Sequence, residues 1–95
     1  MITSKQRARL RSMSNRIKPT VNIGKEGINE SVISSINAAL EARELIKVNV
    51  LDNSPAASKS AAQEVAAAAK AEVVQVIGNK IVLYRRSSQK PVIEL

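Results

Sequence analysis

The chain has no cysteine, histidine, phenylalanine or tryptophan, and Tyr84 is its only aromatic residue. Without cysteine it forms no disulfide and does no thiolate chemistry, which suits a reducing cytoplasm. Without histidine it lacks the commonest general base and metal ligand, and a Cys/His metal site is excluded. One tyrosine cannot build the aromatic platform on which some RNA-binding sheets stack bases. Any nucleic-acid binding is therefore expected to work mainly through backbone and shape. No apolar run approaches the ~20 residues of a membrane span. The N-terminal region has charges but no apolar stretch behind them, so no signal peptide is expected. Residues 4–16 are basic, but Ala8, Leu10, Met13 and Ile17 are too little apolar surface for a membrane-lying helix.

Acidic residues are also scarce. Eight stand against 15 basic ones, for a net charge of +7 in 95 residues. Residues 1–27 carry +6, residues 28–72 carry −2 and residues 73–95 carry +3. If the two ends meet in the fold, they create one electropositive face. Such a face attracts polyanions through phosphate contacts and counterion release. A chain this short makes one domain with a modest core.

Glycine is rare too, and two of the three sit together in Gly24-Lys25-Glu26-Gly27. Val21 and Ile23 precede them with strand-like alternation, over a strand at about 19–23. Asn29 follows as a favoured helix N-cap. The run reads as a strand, a tight loop and a helix start. Free amides, a helix N-terminus and Lys25 together suit a phosphate backbone. A GxxG turn alone also serves as an ordinary strand-to-helix connection.

The other elements follow from local signals. Thr3 and Gln6 form a capping box for a helix at about 4–14. Val32, Ile33, Ile36, Ala39 and Leu40 line one face of a helix at about 29–42. Residues 45–51 alternate as a strand, and the strand–helix–strand order predicts a parallel pair joined by a right-handed crossover. Ser54 reads as N-cap, with Pro55 opening an alanine-rich helix to about residue 71. Residues 73–77 and 80–84 form a hairpin over Gly78-Asn79, with glycine supplying the first positive φ of a II′ turn. Residues 87–95 read as a tail or short edge strand. The order is α-β-α-β-α-β-β, a single α/β (α+β) domain with a four-stranded mixed sheet.

Several segments carry a resemblance. They are Leu10-Arg11, Lys18-Pro19, Ile23-Gly24-Lys25-Glu26-Gly27-Ile28 with Asn29-Glu30, and Ala39-Leu40-Glu41. Glu44-Leu45-Ile46-Lys47-Val48, Gln75-Val76-Ile77-Gly78 and Val82-Leu83-Tyr84-Arg85 complete the set. Over about residues 3–86 the chain resembles the CRM family (chloroplast RNA splicing and ribosome maturation) in its stand-alone, YhbY-like bacterial form. The resemblance implies a fold similar to the C-terminal domain of translation initiation factor three. It also implies RNA binding and association with large-subunit ribosomal precursors. The family's GxxG loop is compared with that of KH domains, which clamps an RNA backbone. Two departures stand out. Glu26 puts a carboxylate where many relatives have a neutral or basic residue, and Ile28-Asn29 replaces a frequent Leu-Thr.

The expected RNA contacts are Gly24, Lys25, Glu26, Gly27, Arg7, Arg11, Lys18, Arg85 and Arg86. Arg7 and Arg11 share a helix edge, while Arg9 is turned away by about 200°. Tyr84 either touches RNA or closes the sheet as a half-buried aromatic. Lys47 reads as snorkelling to an exposed sheet edge. Glu26, Glu30 and Asp52 have no metal-binding spacing, so neither catalysis, a metal nor a cofactor is expected. The expected molecule is a cytoplasmic monomer that binds ribosomal RNA and takes neither a small substrate nor a membrane. The rival reading is an adaptor whose basic surface meets an acidic protein.

Overall fold

The computed structural model describes residues 2–89 and 91–93. Three helices and four strands form in the order α1 (Ser4–Ser14), β1 (Val21–Ile23), α2 (Glu30–Arg43), β2 (Leu45–Val50), α3 (Ser58–Ala69), β3 (Glu72–Ile77) and β4 (Lys80–Tyr84). The sheet order is β1-β2-β4-β3. β1 runs parallel to β2, and β4 runs antiparallel to both β2 and β3. A parallel pair needs a crossover, and α2 supplies it.

Alternation along the strands splits the core in two. Val21, Ile23, Ile46, Val48, Val50, Ile81 and Leu83 pack on one face against Ile36 and Leu40 of α2 and Ala61, Val65 and Ala69 of α3. Alanine lets α3 lie close on the sheet. On the other face Leu45, Val74, Val82 and Tyr84 meet Leu10, with Ile2, Met13, Ile17 and Ile93 around them. The few apolar residues of α1 thus form one stripe, which covers only part of that face. Tyr84 is buried there, so it closes the sheet. Burial raises its hydroxyl pKa, and the nearby Glu44 carboxylate raises it further.

The capping box of α1 is present. Gln6 N–H donates to Thr3 Oγ1 at 3.1 Å, and Thr3 N–H to Gln6 Oε1 at 2.9 Å. The hairpin is present too, with positive φ at Gly78 and not at Asn79, as a II′ turn requires. The start of α3 differs from the sequence reading. Ser54 does not cap it; its hydroxyl bonds with the Ala56 backbone in a local turn, and α3 begins at Ser58 after an Ala57 cap with no side-chain bond. Ser-Pro started a turn instead because a serine hydroxyl satisfies its own neighbourhood as readily as a helix end. A bulge at Val74 shifts the register of β3. No described helix is long and apolar enough to cross a membrane.

The tail forms no strand among its described residues. A buried carboxylate holds it instead. Glu44 follows α2 with φ +66, an unusual angle for a residue other than glycine, and is 0% exposed. Its Oε1 accepts the N–H groups of Val92 and Ile93, each at 2.7 Å. Its Oε2 accepts Ser87 N–H at 2.6 Å. Burial favours the protonated acid, but these three donors outweigh it, with Arg86 nearby, and the pKa falls below the usual 4.5. Glu41 is also lowered, chiefly by the Ser88 hydroxyl. A depressed carboxylate pKa adds stability above its unfolded value and loses it as pH falls through the folded one. The urea midpoint should therefore hold down to about pH 5 and then drop between about pH 4.5 and the acid limit. A midpoint independent of pH across that range contradicts the tail anchor.

Candidate nucleic-acid interface

β1 ends at Ile23, and Gly24–Gly27 turn the chain toward α2. Gly27 N–H donates to the Gly24 carbonyl at 2.9 Å and closes the turn. Lys25 and Glu26 stand exposed at its tip. The two glycines do different jobs. Gly27 is buried with φ +71, and a Cβ there would lie 3.1 Å from Pro55 Cγ. Gly24 has no positive φ, and a Cβ would meet Leu51 at 3.5 Å and Asn53 at 3.7 Å, ordinary contacts. Gly27→Ala should cost about 1–2 kcal/mol in urea denaturation from the left-handed backbone, while Gly24→Ala should stay within about 0.5 kcal/mol. Equal effects at both positions contradict this division.

Asn29 caps α2 as expected: its Oδ1 accepts Val32 N–H at 2.9 Å. The N–H groups of Glu30 and Ser31 have no acceptor among the described residues. They point back along the helix axis toward the turn, where the helix dipole adds positive potential. Leu51 N–H bonds to the Ile23 carbonyl at 2.8 Å, and Val50 N–H to the Asn79 carbonyl at 2.7 Å. The glycine turn, the exit of β2 and the hairpin turn therefore share one end of the sheet.

The expected contacts do not all gather there. Tyr84 pairs with Leu45, whereas Ile23 pairs with Val50. Arg85 and Arg86 thus lie at the opposite end, about 17 Å away at ~3.3 Å per residue. Arg86 is exposed and lines a cleft with Arg9, Lys70, Glu72 and Tyr84. Arg85 is committed internally. Its guanidinium donates to Asn37 Oδ1 at 2.7 Å, the Ala69 carbonyl at 2.6 Å, the Asn37 carbonyl at 3.3 Å and Glu41 Oε2 at 3.2 Å. The guanidinium expected to contact RNA thus spends these donors within the fold, where it ties α2 and the end of α3 to β4.

Arg7 is half-buried, and its guanidinium donates to the Val73 carbonyl, pinning α1 to the bulged edge strand. Arg11, Lys18 and Lys25 are exposed. Lys18 precedes β1 by three residues and so sits at the end of that strand away from the turn. Sequence reasoning placed Lys47 at a sheet edge, but β2 is an interior strand. It passed over Lys80, whose Nζ donates to Asn49 Oδ1 at 2.6 Å and Asn79 Oδ1 at 3.2 Å. The available signal was alternation: Lys47 and Asn49 fall on the face opposite Ile46, Val48 and Val50. The buried role of Glu44 carries no local signal at all. Among the described residues no group of three or more histidine, cysteine or acidic side chains is arranged to hold a metal ion.

Comparison with known proteins agrees with this architecture. The "Probable RNA-binding protein YqeI" of Bacillus subtilis is 43% identical over 95 residues, covering 100% of this chain and 99% of that protein. An "RNA-binding protein" of Haemophilus influenzae is 33% identical over 88 residues, covering 93% and 89%. The solution structure of the hypothetical protein SAV1595 from Staphylococcus aureus superposes with a TM-score of 0.83 at 48% identity, covering 100% and 99%. The CRS1 / YhbY (CRM) domain model matches residues 2–85. With the match spanning all seven elements, the chain belongs to the CRS1/YhbY (CRM) domain family.

Proposed function

We propose that this protein binds RNA and acts in assembly of the large ribosomal subunit, gripping the RNA backbone at the Gly24–Gly27 turn. The observation that carries this reading is the turn itself. Gly27 takes a positive φ with no room for a Cβ beside Pro55, and Lys25 stands exposed in the turn that leads to the open N-terminus of α2. A phosphate there meets a cation, backbone N–H groups and a helix dipole together. The relatives named as RNA-binding proteins support the polyanion as RNA. Glu26 has no bonded partner among the described residues, so its carboxylate is free to swing away from a phosphate. Arg11 and Lys18 add long-range attraction, and no covalent chemistry is required. The proposed site of action is the cytoplasm.

Lys25→Glu should weaken binding to precursor ribosomal RNA by at least about tenfold and make its salt dependence shallower. Fluorescence anisotropy at several salt concentrations reads both. In a gradient of cell extract, the parent protein should travel with large-subunit precursors and lose that position after ribonuclease. Unchanged affinity in the variant removes the loop from the site. Co-migration that survives ribonuclease favours an acidic protein partner.

A further inference from the structure

α1 covers only part of its sheet face, and the uncovered part is basic and polar. Register places Asn22, Asn49 and Lys80 in one row across β1, β2 and β4, with Ile77 of β3 at its end. Lys47, Val82 and Gln75 form the next row on the same side. The third row, Leu45, Tyr84 and Glu72, lies beneath α1 or beside the far cleft. Val82 is buried against Leu10, but around it the two rows present two lysines and three amides, and no carboxylate occupies a position in them.

Lys47 makes this surface unusual. It stands on an interior strand, half-buried, and its ammonium has no hydrogen bond or ion pair among the described residues. A lone cation in the middle of a sheet costs side-chain entropy and desolvation with no internal partner to compensate. Asn49 and Asn79 hold Lys80 in place through their oxygens. Asn79 Nδ2 also donates to Asn49 Oδ1 at 3.2 Å. Asn22 is exposed, and Ile77 is 57% exposed at the end of the row.

α1 borders this patch with charge of the same sign. Leu10 points into the sheet, and Arg9 on one flank lines the far cleft with Tyr84 and Arg86. Arg11 lies about 100° round the helix on the other side of Leu10, so it flanks the open rows. Arg7, one turn before Arg11, shares that flank and donates to the Val73 carbonyl. At the remaining border the row of Asn22 and Asn49 leads directly to the glycine turn.

We infer that the open half of the sheet is a second RNA-contact surface, on which a single-stranded segment lies with its backbone along Lys47, Lys80 and Arg11 while Asn22, Asn49 and Gln75 hydrogen-bond its base edges. The occupant follows from complementarity: apart from Glu72, which lies in the third row at the far cleft, every charge bordering the patch within the sheet and on that flank of α1 is positive, and amides suit base edges. The patch spans about 14 Å across four strands at ~4.8 Å each, room for a short single strand and too narrow for a duplex lying on its side. The turn grips phosphates and reads no sequence, whereas this surface supplies base preference. The inference rests on the RNA-binding reading above but not on the turn's share in it.

Short labelled homopolymer RNAs, measured by anisotropy across a salt series, test it. Lys47→Gln should weaken all of them about five- to tenfold and make the salt slope shallower by about 0.7. The Asn22→Ala/Asn49→Ala double variant should bring the affinities for the different homopolymers together, erasing up to about tenfold preference. Asn22→Ala alone, exposed on an edge strand, keeps the test open if Asn49→Ala disturbs Lys80. Parental affinity, slope and preference in all these variants overturn the inference. If Lys25→Glu still loses binding in that case, the turn stands and only the sheet surface falls; if it too binds like the parent, both fall. Loss in Lys47→Gln without loss in Lys25→Glu supports the sheet surface and removes the turn. Polyglutamate competing as well as RNA at equal charge overturns RNA as the occupant.

Discussion

Glu44→Ala should lower the unfolding free energy by about 3 kcal/mol, a large share of the 5–15 kcal/mol typical of a domain. Three backbone N–H groups lose their acceptor, two of them at Val92 and Ile93 in the tail. The carboxylate is fully buried, so its removal also leaves a gap beneath the tail. The left-handed backbone at residue 44 offsets nothing, since alanine bears the same angle. Glu44→Gln should cost less, about 1–2 kcal/mol: one amide oxygen still accepts, but the NH₂ group faces an N–H donor. The glutamine variant should also lose part of the acid sensitivity of the parent. Urea denaturation gives the energies, and hydrogen exchange at Val92 and Ile93 gives the mechanism. Parental protection of those two amides in Glu44→Ala rules the anchor out.

Arg85→Ala should cost about 2–3 kcal/mol, while Arg86→Ala, one residue on, should stay within about 0.5 kcal/mol. The adjacent arginines differ only in where their guanidinium groups end. That of Arg85 caps the Ala69 carbonyl at the end of α3 and both oxygens of Asn37 in α2, bonds of a charged donor in a partly shielded site. Its ion pair with Glu41 adds little, because the two side chains keep 21% and 34% of their exposure. Lysine should not rescue the loss, since an ammonium cannot fork between acceptors on two helices. Thermal denaturation of the three variants decides the matter. At temperatures where all are folded, Arg85→Ala should bind RNA nearly as the parent does, and a selective loss of RNA affinity there would restore Arg85 to the contact set.

Much of the fold was legible because its signals are short-range. A capping box, an Asn cap, a two-residue hairpin turn and two periods of apolar spacing each act within a few residues. The start of α3 was misread because Ser54-Pro55 satisfies a turn and a helix cap equally well. In the candidate site, the turn, its glycines and its lysine were visible as a pattern. The separate jobs of Gly24 and Gly27 were not, because Pro55, from another loop, creates the difference.

Composition by itself determined that this protein works without thiols, imidazole or an aromatic platform, and that its charge favours a polyanion. Local pattern determined seven elements and the turns at Gly24–Gly27 and Gly78-Asn79. Tertiary structure alone decided which cations share a surface. Strand order made Lys47 an interior residue, and antiparallel pairing sent Arg86 to the end opposite Lys25. Bonds spanning more than 40 residues turned Arg85 inward and fastened the tail to Glu44. The physical reason is one of range: caps and turns are settled by neighbours along the chain, whereas the partner of a charged side chain is whichever group the packed sheet brings within 3 Å or so.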